Sequence, residues 1–159
     1  MKLKIVLIII AVIFMSSCTL IPCSSTAGLT DLDNKVSKKE LIGNYELDDW
    51  TKKLIPELKN SNSKLSIKKN GQIEITNIPT AVFNDFLHGE RIIDKANGTW
   101  KFPQKSDANE IITKMIFSLE SESNNTVSFW KIFSQNGKLT IFIEFGDPDN
   151  CTAARFIKI

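Results

Sequence analysis

From Leu41 to the C-terminus, apolar and polar residues alternate in short runs, and Gly, Pro, Asn and Asp separate the runs. Alternation with a period of two puts every second side chain on one face of an extended chain, so each run predicts a strand. The candidates are Leu41–Leu47, Lys64–Lys68, Gln72–Asn77, Gly98–Phe102, Ile111–Glu120, Thr126–Phe133, Lys138–Phe145 and Thr152–Lys158. One stripe has a different period. Trp50, Leu54 and Leu58 recur at helical spacing behind Asp48 or Asp49, either of which can cap a helix, and Pro56 kinks or breaks it because proline has no donor. A second helical turn is expected around Ala81–Leu87. The pattern as a whole predicts an all-β antiparallel fold of about eight strands with one or two short helices, either a barrel or a strongly curved sheet.

Two Asn-Gly pairs set the register, because side chains facing each other across a hairpin share a face. A three-residue loop, Lys69-Asn70-Gly71, pairs Ile67 with Ile73 and Leu65 with Ile75, with Gly71 in the left-handed position. The same argument at Gln135-Asn136-Gly137 pairs Phe133 with Leu139, Phe129 with Ile143 and Val127 with Phe145. Lys131 opposite Ile141 is the exception on that apolar face. The opposite face then holds Trp130 against Phe142 and Ile132 against Thr140, and a sheet apolar on both sides needs cover on both. The Trp50/Leu54/Leu58 helix is the expected cover, with a cavity or partner surface as the alternative.

The N-terminus has another character. Lys2 and Lys4 precede an apolar run from Ile5 to Phe14, ten residues long, where a transmembrane helix needs about 20. The run is therefore expected to be a signal. Met15-Ser16-Ser17-Cys18 closes it and resembles a bacterial lipobox. That resemblance implies removal of residues 1–17 and lipidation of Cys18 with fatty acyl chains such as palmitate, a membrane anchor. Residues 18–40 are expected to be the lipidated cysteine and a flexible tether, and 41–159 a single β domain. Loss of Lys2 and Lys4 lowers Lys+Arg from 20 to 18 against 18 Asp+Glu. A formally neutral chain has no bulk attraction for nucleic acid, so none is expected as a partner. Cys23 and Cys151 are left as a candidate disulfide in an oxidising compartment.

Leu41-Ile42-Gly43-Asn44-Tyr45-Glu46-Leu47 resembles the opening strand of lipocalin-like domains, where a Gly-x-Trp motif packs under a basic side chain from the last strand. The resemblance implies that Tyr45 stands for that Trp, with Arg155 or Lys158 as the basic partner, in a lipocalin-like barrel. Asn70-Gly71, Asn77-Ile78-Pro79, Gly98-Thr99-Trp100 and Phe145-Gly146-Asp147-Pro148-Asp149 resemble small bacterial lipoproteins. That second resemblance supports the domain boundary and implies no substrate.

Chemistry-bearing motifs are sparse. His88 is the sole histidine and has no nucleophile motif beside it. Gly146-Asp147-Pro148-Asp149-Asn150 fails the spacing of an EF-hand loop and reads as a turn. No catalytic residue, metal site or cofactor is expected, and an enzyme is disfavoured. Two functions remain open for an envelope lipoprotein, expected at the outer membrane facing the periplasm because Thr19 is not an acidic retention signal. One is binding of an apolar or amphipathic ligand inside the barrel, lined from Phe129, Phe133, Ile141, Ile143 and Phe145 and gated by Phe83 and Phe86. The other is contact with an envelope protein through the Trp130/Phe142 face or the Phe83/Phe86 loop, with a packed interior.

Overall fold

The computed structural model describes residues 24–54, 58–59, 62–79, 92–104, 109–119, 122–144 and 153–159. Eight strands close into one antiparallel barrel in chain order: β1 Gly43–Leu47, β2 Lys64–Ile67, β3 Gln72–Pro79, β4 Ile92–Lys101, β5 Glu110–Leu119, β6 Glu122–Gln135, β7 Lys138–Glu144 and β8 Ala153–Lys158. Closure comes from β1 and β8, with Tyr45 opposite Lys158 and Leu47 opposite Phe156. No strand of a closed barrel is left with an open edge along that seam. All eight expected strands are present. β4 and β6 begin earlier than their patterns indicate, because Asp94 to Asn97 and Glu122 to Asn125 are polar or small. Pairing with β3 and β5 holds these stretches extended, through Asn97 opposite Glu74 and Asn124 opposite Phe117, against their weak intrinsic preference.

The first hairpin has the expected register, with Ile67 opposite Ile73 and Leu65 opposite Ile75. Gly71 sits at φ 82°, and its amide donates to the Lys68 carbonyl at 3.1 Å. The second hairpin differs from the expectation by one residue. Its loop is Asn136-Gly137 alone, at φ 52° and 76°, and Gln135 pairs with Lys138, Ile132 with Ile141 and Lys131 with Phe142. Positive φ at both central positions is the two-residue turn whose twist suits a hairpin. Shifting a strand by one residue exchanges its faces. Trp130, Ile132, Ile141 and Ile143 therefore point inward and are buried, while Phe129 points outward and is 61% exposed. The shift also removes the one misfit of the expected register. Lys131 stays on the outer wall and bonds Glu144 at 3.1 Å, avoiding the cost of a charge inside an apolar barrel.

The interior is one contiguous apolar cluster that includes Tyr45, Leu65, Ile75, Trp100, Met115, Trp130 and Phe156. Gly98 lets β4 and β5 approach: a Cβ there would lie 2.2 Å from the Lys114 carbonyl oxygen and 2.7 Å from the Met115 sulfur. Sequence pattern alone places residues 18–40 in a tether, yet from Ser24 onward the chain packs on the barrel. Thr30 and Ser134 exchange backbone hydrogen bonds of 2.9 Å. The Val36 amide donates to Asn109 Oδ1 at 2.8 Å, and the Asn109 amide group donates to the Asn34 carbonyl. Helix α1, Lys38–Leu41, is opened by a capping box in which Ser37 and Glu40 satisfy each other's amides. Its last residue, Leu41, is fully buried and helps to close that end of the barrel.

Helix α2, Asp49–Leu54, starts from Asp48, whose Oδ1 accepts from the Thr51 amide at 2.7 Å. It is described as far as Leu54, and the expected kink or break at Pro56 lies outside the described residues. The stripe expected on it is not a single covering face. Trp50 lies on the outer wall, Leu54 is 40% exposed, and Leu58 is fully buried in the core.

Candidate functional site

Two features on the outside of the barrel carry the chemistry. The first is centred on Arg155. Alternation along β8 sends Ala154 and Phe156 inward, so Arg155 points out, opposite Phe142 on β7. It is nevertheless only 2% exposed, because the N-terminal strap and α2 lie over it. Its Nε donates to the Ser25 carbonyl at 2.9 Å and Nη1 to the Ala27 carbonyl at 2.9 Å, and Nη2 also donates to Ser25. Asp48 Oδ2 stands 3.7 Å from Nη1, and the Trp50 ring stacks 3.8 Å from the guanidinium carbon. Gln135 donates to the same carboxylate oxygen at 3.1 Å. Burial lowers the Arg155 pKa from its ordinary value, and the Asp48 carboxylate opposes that shift. The planar guanidinium fits this arrangement because it offers donors in one plane and a flat face for the indole. No reacting atom is presented here; the cluster fastens the strap to the wall.

The second feature is an open groove of ≈ 450 Å³ lined by Asn70, Gly71, Thr99, Trp100, Lys101, Ile112, Lys114 and Val127. Register explains its composition. Lys101, Ile112 and Phe129 form one row across β4, β5 and β6, and Thr99, Lys114 and Val127 form the next. Val127 is 63% exposed, close to Phe129 in its accessibility. Large side chains this exposed are apolar surface that the fold leaves uncovered by the described residues.

At the closed end, Lys158 rather than Arg155 accompanies Tyr45. Lys158 Nζ lies 6.0 Å from the Tyr45 ring centroid and donates to the Glu40 carbonyl. The Tyr45 hydroxyl donates to the Leu41 carbonyl at 2.6 Å, and burial pushes its pKa well above the ordinary value. Gly43 leaves room for this: a Cβ there would meet Lys158 Cε at 2.8 Å. The Gly-x-aromatic triplet thus has a local steric reason, and Arg155 serves a different indole, Trp50.

The other nominated residues are dispersed. Phe133 and Phe142 meet edge to face on the outer wall, with centroids 5.5 Å apart. Trp130 is inside, 1% exposed, with Nε1 donating to Ser128 Oγ at 2.9 Å. Trp130 and Phe142, expected on one face, therefore lie on opposite sides of the wall, and Phe142 is itself buried at 1% exposed. Cys18, Cys23, Cys151, Phe145, His88, the residues Ala81–Leu87 expected to form a helical turn, with Phe83 and Phe86 among them, and the run Gly146–Asn150 lie outside the described residues. Among the described residues there is no group of three or more acidic, Cys or His side chains that could hold a metal, and no helix long and apolar enough to cross a membrane. Sequence reasoning did not anticipate Lys101 and Lys114 as groove residues. Their polar outward positions were legible from alternation, but the row they form with Ile112 and Val127 needs the pairing of three strands.

Comparison of the chain with protein-family models, with curated proteins and with solved structures finds no match.

Proposed function

We propose that this chain is a non-catalytic lipoprotein of the bacterial envelope, anchored through acyl chains on Cys18, whose packed barrel acts as an interaction module through its outer wall. The observation that carries this reading is the inversion of β6: Trp130 is 1% exposed inside while Phe129 is 61% exposed outside. The described interior holds one contiguous apolar cluster, and Val127 and Phe129 stand exposed on the outside. Of the residues nominated to line a ligand cavity, Phe129 and Phe133 stand on that outer wall, whereas Ile141 and Ile143 point inward and Phe145 lies outside the described residues. The lipobox resemblance at Met15 to Cys18 supports the anchor, and Thr19 supports the outer membrane facing the periplasm.

Native and intact mass spectrometry of the full protein extracted in mild detergent tests both parts. The expected result is a mass carrying acyl chains on Cys18 and no further bound molecule. A lipid that stays with the barrel after acyl chains are accounted for supports the ligand-binding alternative instead. An unmodified Cys18 in the membrane fraction ends the anchor proposal.

A further inference from the structure

We infer that the wall formed by β4, β5 and β6 is a bilayer-docking face, on which Lys101 and Lys114 meet anionic lipid headgroups while Val127 and Phe129 enter the headgroup boundary. This rests on the lipid-anchored reading above and names the surface on which that module's wall acts.

Charge complementarity is the first argument. The groove lining holds two lysines and no carboxylate. Neither lysine forms an ion pair among the described residues, whereas Lys131 is matched by Glu144, and Lys68 and Lys95 by Glu74. The chain that begins at Cys18 is formally neutral, so any attraction to an anionic surface has to be local. Amphipathic composition is the second argument. Exposed Phe and Val flanked by Lys is the mixture that lies at a membrane surface, with the ring and methyl groups inward and the ammonium groups at the phosphates.

The place where the chain leaves the wall is the third argument. Arg155, Phe142 and Lys131 are register partners across β8, β7 and β6. With strands about 4.8 Å apart, Arg155 lies about 10 Å from Lys131, and Phe129 follows two residues along the same strand. Arg155 holds the Ser25 carbonyl at 2.9 Å. Cys18 precedes Ser25 by seven residues, a reach of at most about 25 Å. The described chain nearest Cys18 is thus held two strands from Lys131, which puts the flank bearing Phe129 within the anchor's reach.

The test uses lipidated full-length protein in two kinds of vesicle, phosphatidylcholine alone and phosphatidylcholine mixed with phosphatidylglycerol. Amine-reactive footprinting read by mass spectrometry reports each lysine. Lys101 and Lys114 are expected to label about five-fold more slowly in the anionic vesicles, since each lysine at such a surface is worth about that factor. Lys64, at the other end of β2 opposite Glu46, is expected to label equally in both. Phe129→Ser is expected to reduce the protection of Lys101 and Lys114, and Lys101→Glu that of Lys114. Equal labelling of Lys101 and Lys114 in the two vesicles overturns the proposal, as does protection that grows with protein density in neutral vesicles, which marks a second copy as the occupant. Protection by an added acidic protein and not by anionic lipid overturns it too. If the purified protein carries no acyl chains, the anchor reading fails by itself. The same footprint with added anionic vesicles then still decides the wall: protection of both lysines supports docking, and its absence ends it.

Discussion

The guanidinium of Arg155 lies against the face of Trp50, 3.8 Å from carbon to ring centroid, with the carbonyls of Ser25 and Ala27 in its plane. One side chain on the last strand thereby holds the first described turn of the chain, the early helix and the wall together. Its position links the fold to the proposed anchor, because every residue between Cys18 and Ser25 inherits a fixed point of departure.

Replacing Arg155 with Met keeps much of the stem but leaves Asp48 buried without its cation and two carbonyls without their donors. Breaking one half of a buried pair costs about 3–5 kcal/mol. Urea denaturation is expected to show a loss in that range, and hydrogen exchange is expected to accelerate at Thr30 before it does in β2 and β3. A loss below about 1 kcal/mol would place the pair in solvent.

Gly98→Ala forces a Cβ into the Lys114 carbonyl oxygen, 2.2 Å away, and the contact is backbone. The strands must separate, at a cost of about 1–3 kcal/mol. Thermal unfolding is expected to shift downward, with Met115→Ala failing to restore it because the carbonyl, not the sulfur, is the closer obstacle.

The register of β6 can be checked by a pair of neighbours. Trp130→Ala removes a fully buried indole and is expected to cost about 3–5 kcal/mol, while Phe129→Ser on the outer wall is expected to stay within about 0.5 kcal/mol. The reverse order of effects would support the register with Phe129 opposite Ile143.

Tyr45 predicts an alkaline limit. Burial raises its pKa in the fold above the ordinary value of 10.0. Below pH 10 both folded and unfolded states keep the proton and stability is unaffected. Above it the unfolded state releases the proton first, so stability falls by up to about 1.4 kcal/mol per pH unit from this group until the folded pKa is reached. Tyr45→Phe is expected to lose some stability at neutral pH through the lost bond to Leu41, and to show a shallower decline above pH 10 in the same denaturation assay.

How far the chain could be read depended on the range of the forces involved. The strand at Lys64–Ile67 and its partner were legible with their register, because Gly71 and the Ile and Leu positions across a short loop all agree. At Asn136-Gly137 local preference admits either a two-residue or a three-residue loop, and the choice rests on which face of β6 must accept Lys131. That is decided by the closed interior, which local alternation does not reveal. Arg155 is the clearest case at the candidate site. Its outward direction follows from Ala154 and Phe156, but its burial follows from a strap more than a hundred residues away in the chain.

By itself, then, the sequence determined the eight strands, the capped early helix, the Gly-x-Tyr opening and the lipobox-like run, because each is set by neighbours within a few positions. Only the tertiary structure decided that Phe129 faces out, that Lys158 rather than Arg155 accompanies Tyr45, that residues 24–40 pack on the barrel, and that Lys101, Lys114, Val127 and Phe129 share one wall. Those outcomes depend on barrel closure and on contacts between distant segments, where the burial of one charge or indole outweighs any local preference.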